Sequence, residues 1–305
     1  MATASQTTYK PNDAFVASKL FSLDGFKAVV TGGGTGIGLM ITQALVANGA
    51  KVYITGRRQD ALDNVVQRYG PGGKIVGISA DITKRDDVLR LAKKVQELEP
   101  EGIQLLVNNA GVAKEKATTT YSKQGEPDMH DANAIAEHLL KATHESWAET
   151  FETNVTAQYF TAAAFIPLLS KGTANTHGYS ASIVNVASIS GMMRTSSSGQ
   201  FAYAASKAAM LHLSKLLGTT LAQAKIRVNT ICPGIFPSEM TADSSDEANK
   251  SRLQDAGKSL PAGRSGDDGD MAAAIVYLVG PNSNFLNGQV LHPDGGAVLT
   301  SPATA

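Results

Sequence analysis

A single cysteine, Cys232, leaves no partner for an internal disulfide. It stands in Val-Asn-Thr-Ile-Cys-Pro at the end of an apolar run and reads as a small buried hydrophobe, with no neighbouring histidine to make a reactive thiol. The six histidines fall in no H-E-x-x-H or Cys/His cluster, so no metal site is expected. The acidic stretch 265–270 lacks the alternating ligands of a calcium loop and suits a helix cap better. Neither sign of charge is in excess: 27 basic side chains face 27 acidic ones, which gives no global attraction to nucleic acid or to an anionic membrane. No arginine–aromatic array points to nucleic acid either. Residues 1–18 are rich in Ser, Thr and Ala, without an unbroken apolar stretch, so neither a secretory signal nor a membrane anchor is expected there. The expectation is a cytoplasmic protein with a flexible N-terminal arm over 1–20 and a short C-terminal tail over 300–305.

What is present is a 43% hydrophobic content over 305 residues, ample for a large core. Apolar strand-like runs at 27–31, 51–55, 74–79 and 105–108 alternate with helix-like periodicity after Gly38, over 60–69 and over 84–98. The rhythm resumes with a helix over 143–170, a strand over 182–187, a helix over 203–224, a strand over 227–231, a helix over 268–279 and a last strand near 289–292. Such alternation predicts an α/β fold, a Rossmann-type doubly wound parallel sheet with helices on both faces and ligands at the carboxyl edge. No repeat or linker divides the chain, so one catalytic domain over 21–299 is expected. Two stretches break the pattern: a polar connection over 114–141, with a possible short helix over 135–140, and a Ser/Asp-rich segment over 238–260 that could serve as a substrate lid.

The loop Thr31-Gly32-Gly33-Gly34-Thr35-Gly36-Ile37-Gly38 lies between a predicted strand and a predicted helix. Glycines suit that junction because the backbone must turn sharply and approach a pyrophosphate without a Cβ in the way, while the helix start offers unpaired N–H groups. A glycine cluster alone is compatible with an ordinary loop; this context makes it a dinucleotide site. The second strand runs into Gly56-Arg57-Arg58, where an NAD site would usually carry an acid for the ribose hydroxyls. Arg57 can offer a forked donor to a 2′-phosphate, and Arg58 can stack on adenine or add charge, so NADP(H) is the expected cofactor. Two surface arginines at a turn are the plain alternative.

Tyr203 and Lys207 are four residues apart on a predicted helix and so share a face. An ammonium beside a phenol is expected to lower its pKa and make it a usable proton donor and acceptor. Ser188, at the end of a predicted strand, can donate to the same substrate oxygen. Alone, a Tyr-x-x-x-Lys spacing is common and usually structural; it gains meaning beside the cofactor loop.

With Asn108-Asn109-Ala110-Gly111, Asn154, Pro233-Gly234 and Asp294-Gly295-Gly296, these motifs make the chain from about residue 21 to 296 resemble the classical short-chain dehydrogenase/reductase family. The Phe236-Pro237-Ser238-x-Met240-Thr241 passage is similar to a subgroup of 3-oxoacyl-carrier-protein reductase-like enzymes. The resemblance implies that Asn154 holds a water leading from Lys207 to solvent. It implies that Asp81 and Ile82 lie on the adenine side, that Asn108, Ala110 and Gly111 lie beside the adenosine ribose, and that Lys207 binds the nicotinamide ribose. Pro233, Gly234, Ile235 and Ser238 are implied around the carboxamide and phosphates. It also implies a homo-oligomer, a tetramer favoured over a dimer, pairing the helices over 143–170 and 203–224.

The spacing between Ser188 and Tyr203 is lengthened by 192–200, which is expected to border the substrate pocket. Met192, Met193, Phe201, Phe236 and Met240 are candidates for its apolar wall, with Arg194 for a substrate anion; core packing, and simple exposure for Arg194, are the alternatives. The expected activity is NADP(H)-dependent interconversion of a small-molecule ketone and a secondary alcohol, on a 3-oxoacyl-like or polyketide-like substrate. An NADP(H)-binding regulatory protein with little turnover and an NAD-dependent alcohol dehydrogenase remain as alternatives.

Overall fold

Strands β1 (Lys27–Thr31), β2 (Lys51–Gly56), β3 (Ile75–Ser79), β4 (Leu105–Asn108), β5 (Ser182–Val186), β6 (Arg227–Ile231) and β7 (Val290–Leu291) pair in the order β3-β2-β1-β4-β5-β6-β7, every neighbour parallel. The computed structural model describes residues 11–301 except 243 and 254–256, without the side chain of residue 117. A parallel sheet must hide both faces, and the residues do so by alternation. Ala28 and Val30, Val52 and Ile54, Leu105 and Val107 enter one core with Leu39, Leu45 and Ile275. Val29, Tyr53 and Leu106, one residue out of phase, enter the opposite core with Leu91, Phe165 and Leu217.

The covering helices are α1 (Gly36–Ala47), α2 (Gln59–Tyr69), α3 (Arg85–Leu98), α4 (His144–Phe151), α5 (Ala157–Asn175), α6 (Phe201–Leu221) and α7 (Asp268–Val279). Asp267 caps α7 by accepting from Gly269 and Asp270 N–H groups, so the acidic stretch is a capping box.

The single helix expected over 143–170 is two helices joined by a π-helical turn, Glu152–Thr156. The cause is tertiary: buried Asn154 bonds the backbone of Val112 in both directions, Oδ1 accepting at 2.8 Å and Nδ2 donating at 2.9 Å. Such turns commonly occur where a side chain must leave the regular helical phase.

Residues 12–15 and 17–20 form two short helical turns; the rest of the expected arm, residues 1–10, lies outside the described residues, as do 302–305 of the tail. The connection over 114–141 contains a helix over Ala132–Leu139, capped by Asp131. Among the described residues no helix is long and apolar enough to cross a membrane.

The sheet order reverses at β1, between β2 and β4. The loops after β1 and β4 therefore diverge around a crevice at the carboxyl edge.

Candidate active site

A cleft of about 830 Å³ opens at that crevice. Its walls include Gly32, Gly34, Thr35, Gly36, Ile37 and Gly38 from the glycine loop, Arg57 and Arg58 after β2, Asp81 and Ile82 after β3, and Ala110 and Gly111 after β4. Ser188, Tyr203 and Lys207 line it as well, with Pro233, Gly234, Phe236, Ser238 and Met240.

The glycine loop is tight. A Cβ on Gly38 would stand 2.0 Å from the Gly32 carbonyl oxygen, so no larger residue fits without moving backbone. Thr31 is buried beneath the loop, and its hydroxyl oxygen accepts the N–H groups of Asn109 and Ala110 at 3.0 and 3.1 Å, tying the loops after β1 and β4 together. Thr35 precedes α1 without a side-chain cap, so the first N–H groups of that helix remain for a ligand. These glycines, the bare helix start and the paired arginines fit a phosphate-bearing dinucleotide.

The arginines differ. The Arg57 guanidinium has no ion-pair partner among the described residues. Arg58 instead forms a bidentate pair with Glu239, Nη1 to Oε1 at 3.1 Å and Nη2 to Oε2 at 2.7 Å. Residues 238–241 thus line the cleft beside the arginines. Asn249 donates to the carbonyls of Gly34 and Ala61, and Tyr69 donates to that of Ala248. Within the segment 238–260 expected as a lid, Ala248 and Asn249 thus meet the glycine loop and α2, while residues 243 and 254–256 lie outside the described residues. Asp81 is turned toward its own loop, where its carboxylate accepts from the N–H and hydroxyl of Thr83.

At the inner end, Lys207 Nζ donates to the Val186 carbonyl at 3.0 Å and lies 5.6 Å from the Tyr203 ring centre. Burial draws the Lys207 ammonium down to about 8. The Tyr203 phenol lies above its ordinary value. Burial is the main cause, a hydrogen bond with Ser188 opposes it, and Cys232 and Glu115 add to it. The lysine-lowered phenol expected from spacing alone is therefore not what this geometry gives: desolvation wins, and the phenol keeps its proton at neutral pH. Ser188 Oγ accepts the Ser190 N–H at 3.1 Å, leaving its own proton to donate. Burial pushes the Cys232 thiol up to about 12, which leaves it inert.

Asn154 and Asn108 lie behind the wall. Asn108 donates to Asn185 at 3.0 Å, and Asn154 Nδ2 also meets Ser206 Oγ at 3.0 Å. A methyl group on Gly111 would stand 3.2 Å from Asn154 Oδ1 and 3.4 Å from Lys207 Nζ, so both border one small space beside that glycine.

Met192 and Met193 do not line the cleft; they pack against a cluster of Ala187, Ile189, Cys232 and Ala297. Phe201 and Ile235 do not line it, and Arg194 is exposed. Phe236 lines it while buried in the main core.

Sequence reasoning passed over two carboxylates. Glu239 is one. The other is Glu115, 1% exposed, whose Oε1 accepts the Tyr203 N–H at 2.9 Å while Oε2 is buried without a hydrogen-bond partner. An unpaired buried acceptor costs about 1–3 kcal/mol, as much as a helix cap returns. Their partners lie 88 and 181 residues away, so no local pattern signals them.

Residues 32–298 match a family model described as enoyl-(acyl carrier protein) reductase. The short-chain dehydrogenase/reductase PhomF of Diaporthe leptostromiformis is 37% identical over 297 residues, 95% of this chain and 97% of that protein. The rhamnolipids biosynthesis 3-oxoacyl-[acyl-carrier-protein] reductase of Pseudomonas aeruginosa is 32% identical over 90% of this chain and 97% of its own length. Among solved structures, the Pseudomonas aeruginosa RhlG/NADP active-site complex superposes with a TM-score of 0.74 at 31% identity, covering 91% of this chain and 98% of that one. With its all-parallel sheet and the convergence of Ser188, Tyr203 and Lys207 on one cleft, the chain belongs to the classical short-chain dehydrogenase/reductase family of oxidoreductases.

Proposed function

We propose that this chain is an NADP(H)-dependent reductase of a 3-oxoacyl-like or polyketide-like ketone. The observation that carries the reading is that Ser188, Tyr203 and Lys207 share one cleft with two arginines and a glycine loop.

The glycine loop and the start of α1 would hold a pyrophosphate, Arg57 a 2′-phosphate, and Lys207 the nicotinamide ribose. The chemistry that a bound nicotinamide supplies is two-electron hydride transfer to the carbonyl carbon. Ser188 donates to the carbonyl oxygen and fixes its direction. Tyr203 gives its proton to the oxygen as negative charge develops there, and a phenol that stays protonated at neutral pH is the competent form for this direction. Lys207 and Asn154, bordering the space beside Gly111, return the proton through a bridging water. Met240 supplies an apolar surface for the substrate chain. The relative solved with NADP and the relative named for 3-oxoacyl reduction support cofactor and substrate class respectively. The exposed Trp147, Tyr159, Phe160 and Leu216 on α4, α5 and α6 support pairing of copies into a homotetramer.

The test follows NADPH and NADH oxidation against a panel of 3-oxoesters and larger cyclic ketones, with Tyr203→Phe and Arg57→Ala as controls. Reduction preferring NADPH is expected, lost in the first variant and shifted toward NADH in the second. Full activity in Tyr203→Phe refutes the proton-donor role, and a wild-type preference for NADH refutes the cofactor assignment.

A further inference from the structure

The two lengthened segments, 114–141 and 192–200, meet each other at the start of the helix that carries Tyr203. Thr119 donates through Oγ1 to the Gly199 carbonyl at 2.6 Å, and the Tyr121 N–H donates to the Ser198 carbonyl at 2.9 Å. The Thr119 carbonyl in turn faces His138 Nε2 at 2.8 Å, from the short helix of the same connection.

Within this junction, Glu115 opens a 3₁₀ turn whose carbonyl oxygen gathers the N–H groups of Thr118, Thr119 and Thr120 at 3.0, 3.2 and 3.2 Å. Its side chain reaches the Tyr203 backbone. Tyr203 is the third residue of α6, and Gln200 before that helix provides no side-chain cap. One N–H group of the first turn is thus satisfied by a carboxylate from a distant segment, and a negative charge at a helix start is favoured by the helix dipole.

We infer that Glu115 is a positioning residue for the reduction: its buried carboxylate fixes the backbone of Tyr203 and thereby the direction of the phenol. The inference rests on Tyr203 being the proton donor. A cap alone would need only one acceptor, whereas Glu115 keeps a second, unpartnered oxygen inside the protein. That arrangement places a carboxylate close enough to disfavour the phenolate, adding to the effect of burial and of Cys232. The charged and titratable groups around the phenol are therefore Glu115 from the long connection, Cys232 after β6 and Lys207 from α6 itself.

The experiment compares wild type with Tyr203→Phe, Glu115→Gln and Glu115→Ala. Ultraviolet phenolate titration, referenced to Tyr203→Phe, isolates the ionisation of Tyr203 without requiring turnover. In Glu115→Gln that ionisation moves to lower pH, while kcat for ethyl acetoacetate reduction stays near wild type because the amide oxygen still accepts the Tyr203 N–H. In Glu115→Ala, kcat falls by about tenfold or more, as a misdirected reacting group requires, with KM and NADPH affinity near wild type. An unshifted phenolate titration in Glu115→Gln overturns the inference, even where the alanine variant fails to fold. So does wild-type kcat in Glu115→Ala alongside an inactive Tyr203→Phe. Full activity in Tyr203→Phe defeats the proton-donor reading itself, which separates that failure from one of Glu115 alone.

Discussion

Replacing Lys207 by methionine removes a charge that the fold holds in an apolar setting. Its ammonium, 4% exposed, is drawn from 10.5 to about 8 by burial. At about 1.4 kcal/mol per tenfold change in proton affinity, the charged form costs the folded state roughly 3 kcal/mol. The sign follows from linkage. The folded state releases its proton near 8 and the unfolded chain near 10.5, so the unfolded state binds more protons across that window and stability rises with pH through it. About 2 kcal/mol of the cost is relieved between about pH 7 and about pH 9.5. In Lys207→Met that rise is absent. The variant also leaves the Val186 carbonyl without its donor, an offset of about 1–3 kcal/mol that is the same at every pH. The diagnostic is therefore the difference in slope. Tyr203 and Cys232, both raised, titrate in the opposite sense and are common to the two proteins. Urea unfolding at fixed protomer concentration, repeated across that pH range, measures it. Parallel pH profiles for wild type and variant refute the claim that Lys207 is held at a cost.

Two further substitutions probe the scaffold. Gly38→Ala puts a methyl group 2.0 Å from the Gly32 carbonyl oxygen and 2.5 Å from Asn109 Nδ2; loss of NADPH binding by fluorescence, with about 1–3 kcal/mol of stability, is expected, and normal binding refutes the need for a bare loop. Arg227, 3% exposed, donates to the carbonyls of Ser180, Leu278 and Leu286 and to the Tyr179 hydroxyl. Arg227→Met leaves buried acceptors unpaired and costs about 3–5 kcal/mol in thermal or urea unfolding; a change below about 1 kcal/mol means the network does not anchor β6.

The strands were legible because their signal is local. Lys27–Thr31 and Leu105–Asn108 are apolar runs bounded by a glycine loop and an asparagine pair, and burial on both faces leaves them no other reading. The π-helical turn was not legible, since nothing in Glu-Thr-Asn-Val-Thr announces that Asn154 will be held by Val112, 42 residues earlier. The same distinction divides the site. Ser188, Tyr203 and the glycine loop follow from motif and position, whereas Glu115 and Glu239 act through contacts that exist only after folding. Met192, Met193 and Phe201 show the limit of hydrophobicity as a guide. An apolar side chain near a reacting serine can equally face inward, and the two methionines pack beside Cys232 rather than on the cleft. The charge of Arg58 is legible in the sequence, but charge alone does not name its partner, the Glu239 carboxylate.

The wide turn at Glu152–Thr156 carries one residue more than an ordinary helical turn, with the Ala157 N–H closing on the Glu152 carbonyl. That turn absorbs the extra residue locally, so the stretch beyond it keeps nearly the phase of an uninterrupted helix. Phe165 and Leu169, the inward knobs of α5, therefore still meet the sheet. Only Asn154 is thrown out of step, toward Val112, so deleting one residue there would sacrifice that amide's seat and spare the packing of α5.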